Sequence, residues 1–111
     1  MKQLKIIVTV ISFLALILLS SCATTAPSLN QAKTNFGQHN YGAAFKQTSE
    51  LAKQGNAEAQ YALGYLYYYG LGTFQDQDLA RKWISAAAKQ GYQPAEQAFT
   101  MLTSTNKAST R

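Results

Sequence analysis

The chain has 111 residues, room for one domain, and a formal charge of +5 spread over only 14% charged residues. Its single cysteine excludes an internal disulfide framework and a multi-cysteine metal site. Lys and Arg are scattered, with Arg81-Lys82 the one adjacent pair, so the clustered basic face that a nucleic-acid binder needs is missing.

The chain starts with a short positive segment carrying Lys2 and Lys5. Residues 6–19, IIVTVISFLALILL, follow without a charge. A run of this length fits the apolar region of a secretory signal and is short for a bilayer-spanning helix. It closes on Leu19-Ser20-Ser21-Cys22, which resembles the lipobox of bacterial lipoproteins. That resemblance implies that residues 1–21 are a signal peptide cut away before Cys22. It also implies that the Cys22 thiol carries diacylglycerol and that the new amino terminus is acylated. One acyl chain holds a protein marginally and two or more hold it stably. In such lipoproteins an Asp after the cysteine favours inner-membrane retention. Ala23 stands there instead, which implies an outer-membrane anchor facing the periplasm. The processed chain keeps eight Lys/Arg against five Asp/Glu, a formal +3.

Residues 22–29 are small and polar with Pro27, as a flexible tether should be. About five helices are predicted beyond it: residues 30–36, 41–54, 57–69, 77–90 and 93–102. Asn40, Asn56 and Asp76 stand at N-cap positions. Gly55, Gly70 and Gly91 stand where helices stop and positive φ is common. Pro94 falls in the first turn of the last helix, where a missing N–H costs little. Residues 103–111 have no apolar periodicity and read as a disordered tail. No stretch alternates long enough for a strand, so the fold class is all-α.

The helical region repeats with a period of 36. Ala52-Lys53-Gln54-Gly55 recurs as Ala88-Lys89-Gln90-Gly91, and Ala44, Ser49, Ala59, Ala62 and Leu66 recur as Ala80, Ser85, Ala95, Ala98 and Leu102. Such a period marks a stacked array. Over residues 57–69, Ala59, Ala62, Leu63, Leu66 and Tyr67 fall on one face. Gly64 inside that helix signals a neighbour packed against its backbone. Tyr61, Tyr65, Tyr68 and Tyr69 fall on the other side. The next helix has a stripe of Leu79, Ala80, Trp83, Ile84, Ala87 and Ala88, which places Trp83 between the two helices.

Ala59, Leu63-Gly64, Tyr67, Gly70-x-Gly72, Asp76, Ala80, Trp83, Ala87-Ala88 and Gly91 together resemble the Sel1-like repeat, a relative of the tetratricopeptide repeat. Thr73, Phe74 and Ile84 depart from the family's Val, Pro and Tyr. The resemblance implies a short α-solenoid of antiparallel helix pairs, about two and a half repeats. Residues 30–56 would be a degenerate first unit, 57–92 a full one and 93–102 a capping helix. It also implies a concave surface, lined by first helices, that binds a protein or peptide. Tyr61, Tyr65, Tyr68 and Tyr69 are the candidate binding residues there, with Tyr61 and Tyr65 the more exposed pair. Tyrosine suits that role because it buries a large rigid surface at low entropic cost.

No constellation of an enzyme is evident. His39 is the one histidine and belongs to a turn; Asp76 and Asp78 serve a helix start. The carboxylates have no shared-helix pairing for acid/base work. Gly70-Leu71-Gly72 lacks the strand that precedes a phosphate loop. No cofactor or metal is implied. The expectation is an interaction module, lipid-anchored in the bacterial envelope, with an envelope protein or peptide as partner. An envelope enzyme or inhibitor acting on the cell wall, or a purely structural lipoprotein, is the alternative.

Overall fold

A computed structural model describes residues 2–18 and 26–109. These form six helices and, among the described residues, no strand: α1 Lys2–Leu18, α2 Leu29–Gly37, α3 Tyr41–Lys53, α4 Ala57–Tyr69, α5 Gln77–Lys89 and α6 Gln93–Ser109. From α2 to α6 each helix packs on the next in sequence. This is a short all-α solenoid. Both ends of α3, moved by 36 residues, give both ends of α5. The sequence period is therefore a structural period.

The local signals act as physical chemistry requires. The side chains of Asn40, Asn56 and Asp76 accept from the backbone N–H three residues on, at 3.5, 2.8 and 2.9 Å. Each satisfies one of the N–H groups that a helix start leaves without a partner. Ser28 does the same for α2, so that helix begins at Leu29, inside the stretch expected to be tether. Gly70 ends α4 in the left-handed conformation, with φ 67°. Gly55 and Gly91 take positive φ one residue past the caps of α3 and α5.

Two core clusters hold the stack. Ala52, Ala59 and Leu63 are buried where α3 meets α4, with Phe45, Leu51, Tyr67 and Trp83 packed around them. Ile84, Ala87 and Ala95 are buried where α5 meets α6, surrounded by Tyr61, Tyr92, Ala98, Phe99 and Leu102. Gly64 confirms its expected role. A Cβ there would lie 2.5 Å from Ile84 Cγ1 and 2.9 Å from the Ala80 carbonyl, so α5 rests on the bare backbone of α4. Gly72 similarly carries the α4–α5 loop onto the Tyr41 carbonyl.

Three expectations need correction. Trp83 is half-buried rather than enclosed, because it sits at the margin of the Ala52–Ala59–Leu63 cluster. The segment from Thr103, expected to be disordered, continues α6 as far as Ser109. The hydroxyls of Thr100, Thr103, Ser104 and Thr105 bond back to carbonyls three or four residues earlier, so these polar residues line a helix. The third concerns the tyrosines and is taken up with the site.

α1 gives the apolar run from Ile6 a helical form as far as Leu18. Its described side chains, among them Leu4, Ile6, Val8 and Ile11, are exposed. Among the described residues, no helix is long and apolar enough to cross a membrane. Cys22 and the Leu19-Ser20-Ser21 expected to precede a cut lie outside the described residues.

Candidate functional site

α2 packs on α3 and α3 on α4, but α2 and α4 are not a closely packed pair. A slot of about 350 Å³ opens between them. α2 supplies Leu29, Ala32, Lys33 and Phe36, and α4 supplies Glu58, Tyr61, Ala62, Tyr65 and Leu66. Ala44 and Thr48 of α3 form the floor, and Tyr92, just before α6, closes one end.

The small floor residues make the slot, and aromatic rings make its walls. Tyr61 tilts against Tyr92 with ring centroids 5.7 Å apart. Phe36 meets Tyr65 edge-on at 6.0 Å, and Tyr65 meets Tyr69 at 4.6 Å. Phe36 also meets Tyr41, which hydrogen-bonds His39 through its hydroxyl at 2.7 Å. Two aromatic pads therefore flank a recess lined by alanine and leucine.

Charge crosses the lip once. Lys33 Nζ lies 2.6 Å from Glu58 Oε1, bridging α2 and α4. Hydrogen bonding to Glu58, then its charge, raises the Lys33 pKa above 10.5. The Tyr92 phenol is also raised above 10.0, first by burial and then by the nearby Glu58 carboxylate. Lys33 thus stays charged and Tyr92 neutral at neutral pH.

The four candidate tyrosines do not act as one group. Tyr61 and Tyr65 line the slot, whereas Tyr68 and Tyr69 do not. Tyr61, expected to be exposed, is half-buried, because α6 brings Tyr92 and Ala95 against it. Tyr69, expected to be less exposed than Tyr65, is 56% exposed against 40% for Tyr65. Tyr68 is half-buried and edge-on to Tyr69. Nor do Tyr61 and Tyr65 stand opposite Ala62 and Leu66: all four share the α4 wall. A full helical turn separates Tyr61 from Tyr65, and Ala62 and Leu66 lie next to them on the wheel.

Sequence reasoning missed the α2 half of the site. Ala32 and Phe36 form an apolar i, i+4 pair, but nothing local points Phe36 toward Tyr65. It also missed a polar relay behind α4, buried at Gln60 and exposed at Gln90. Gln90 Nε2 donates to Gln60 Oε1 at 2.7 Å, and Gln60 Nε2 donates to the Ala52 carbonyl at 3.2 Å. Gln90 also reaches the Gly55 carbonyl at 3.1 Å, which ties the two KQG turns of successive repeats together.

Among the described residues, no group of His, Cys, Asp or Glu side chains is placed to hold a metal. His39 is exposed, with a left-handed φ of 59°, at the turn between α2 and α3.

Neither the curated proteins nor the solved structures gave a match to this chain. Sel1 repeats mediate protein–protein interaction and are not typically enzymes. Residues 57–92, spanning α4, α5 and the turn into α6, match the family model of the Sel1 repeat, and the match supports a Sel1-like repeat protein.

Proposed function

We propose that this chain is an interaction module, held by lipid at Cys22 in the bacterial cell envelope, that binds a protein or peptide in the slot between α2 and α4. The observation that carries the binding reading is the slot itself. It is an apolar recess between an exposed aromatic pad, Phe36 and Tyr65, and a half-buried one, Tyr61 and Tyr92, on the side formed by the first helices of successive units. Interface anchors are enriched in tyrosine, and a hot-spot ring contributes about 2 kcal/mol or more. The lipid anchor is supported by the charged start, the apolar run and the box ending at Cys22. Ala23 after that cysteine supports an outer-membrane location facing the periplasm.

Ala62→Leu and Tyr65→Ala test the binding reading from opposite directions, one filling the slot and the other removing a wall. Both variants are expected to melt close to the parent and to lose the partner that the parent captures from detergent-solubilised membranes. Undiminished capture by both folded variants sinks the reading. Mass spectrometry of the membrane-extracted protein tests the anchor; an unmodified Cys22 thiol or an amino terminus elsewhere contradicts it.

A further inference from the structure

We infer that the slot between α2 and α4 takes an uncharged, proline-rich peptide in the polyproline II conformation. The inference rests on the binding role proposed above and names the ligand.

Size is the first argument. An α-helix about 10 Å across with a pitch of about 5.4 Å sweeps roughly 400 Å³ per turn. The slot is about 350 Å³, so a helix could lay only one face in it. A polyproline II chain presents three residues per turn, about 9 Å of length, as a narrow ridge. Its rings are small enough for the recess between Ala32, Ala44 and Ala62.

Charge is the second. The one cation and the one anion at the lip neutralise each other at 2.6 Å. A charged ligand would have to break that pair to gain a partner, whereas an uncharged one leaves it intact.

Hydrogen bonding is the third. Among the described residues, the one tyrosine hydroxyl held within the chain is that of Tyr41, on His39. Tyr61, Tyr65 and Tyr92 line the slot with phenols able to donate. A polyproline II segment has no internal hydrogen bonds, so its carbonyls all accept from outside. Proline also brings no N–H that would need an acceptor on these walls. Aromatic-lined grooves are the general receptor for such segments, because the ligand is already extended and loses little entropy on docking.

The test titrates the full-length chain in detergent with an uncharged nonapeptide of three Pro-Pro-Ala units, followed by calorimetry and by tyrosine-ring NMR shifts. The same peptide with each Pro replaced by Gln is the control, and an amphipathic helical peptide is the competing class. The expected result is saturable binding of the proline peptide, at least tenfold tighter than the control. Tyr65→Ala should weaken it tenfold or more. Tyr65→Phe, which keeps the ring and loses the donor, should weaken it several-fold. No saturable binding, equal binding of the Gln control, tighter binding of the helical peptide, or a Tyr65→Phe variant as tight as the parent each overturns the inference. If Ala62→Leu abolishes capture of the membrane partner while no proline peptide binds, the slot is still the binding site and only its ligand was misassigned. If capture survives Ala62→Leu as well, the binding reading falls with it.

Discussion

The α4–α5 hairpin and the α2–α3 hairpin each pack a helix on the one that follows, and they use their small residues for different ends. In α4–α5, Gly64 brings Ile84 and the Ala80 carbonyl onto the helix backbone and closes the contact. α2 is only nine residues long and buries a single side chain, Ala32. It covers α3 and meets α4 through the Lys33–Glu58 pair and the Phe36–Tyr65 contact, while a slot stays open between them. α4 and α5 close on each other at the backbone, whereas α2 leaves a slot open beside α4.

The sharpest way to break this comparison is to hollow the closed side. Leu63 is 1% exposed and belongs to the Ala52–Ala59 cluster. Leu63→Ala should cost about 2–5 kcal/mol. That is a large share of the roughly 5–15 kcal/mol of an ordinary domain. A denaturant melt with an unchanged midpoint would show that the cluster does not hold the stack.

Gly64→Ala is the next test. The added Cβ meets a backbone carbonyl that cannot rotate away, so overpacking of about 1–3 kcal/mol is expected. Better helix propensity returns up to about 1 kcal/mol, so the net loss is smaller. At the same register in α6 stands Thr100, exposed, with no helix against it. Thr100→Ala should therefore be nearly neutral. Equal effects at the two positions would mean that α4 and α6 are packed alike.

These residues also show how far the sequence could be read. The caps, the glycine stops and the 36-residue period are local or repetitive signals, and all located their elements to within a few residues. Gly64 was legible because a glycine weakens a helix interior, and a backbone in close contact is what makes that weakness worth keeping. The slot was not, since it is made by what α2 fails to cover, and absence of cover leaves no mark on the α4 sequence. Tyr61 was misjudged for a related reason: its partner, Tyr92, lies 31 residues away and in the position where the preceding unit has the cap Asn56. Helical wheel arithmetic orders residues around one helix and says nothing of which neighbour arrives.

Gln60 offers a smaller effect that separates stacking from the slot. Its side chain is 8% exposed and passes a hydrogen bond from Gln90 to Ala52. Gln60→Leu removes both hydrogen bonds, each contributing about 0.5–1.5 kcal/mol, while the Ala52 carbonyl keeps the Gly55 N–H. Slot binding should be unaffected, because Gln60 is not among the slot residues. A variant of parental stability, or one with weakened binding, would overturn this division of labour.

The smallest expected effect concerns the Lys33–Glu58 bridge, the one ionic tie between α2 and α4 among the described residues. Glu58 raises the Lys33 pKa above 10.5 in the folded chain by accepting its hydrogen bond and by its charge. Between the unfolded and folded values the native state holds the proton more often than the unfolded state does, so stability falls as pH rises. The contribution is fully present below about pH 10 and disappears as the pH climbs through the folded pKa. Tyr92, raised above 10.0 mainly by burial, acts in the same direction, because the folded chain resists losing that proton too. Lys33→Met removes the first effect and slightly strengthens the second, because the Lys33 charge lowers the Tyr92 pKa. Both side chains of the bridge are well exposed, so the difference in Tm at pH 8 should be small and should shrink with added salt. It should close as the pH rises past 10.5, while both proteins continue to lose stability through Tyr92. Thermal melts of parent and variant from pH 8 to about 11.5 check this. A gap that stays constant to the top of that range, or that widens, would mean that the bridge does not tie α2 to α4 and that packing on α3 alone sets the width of the slot.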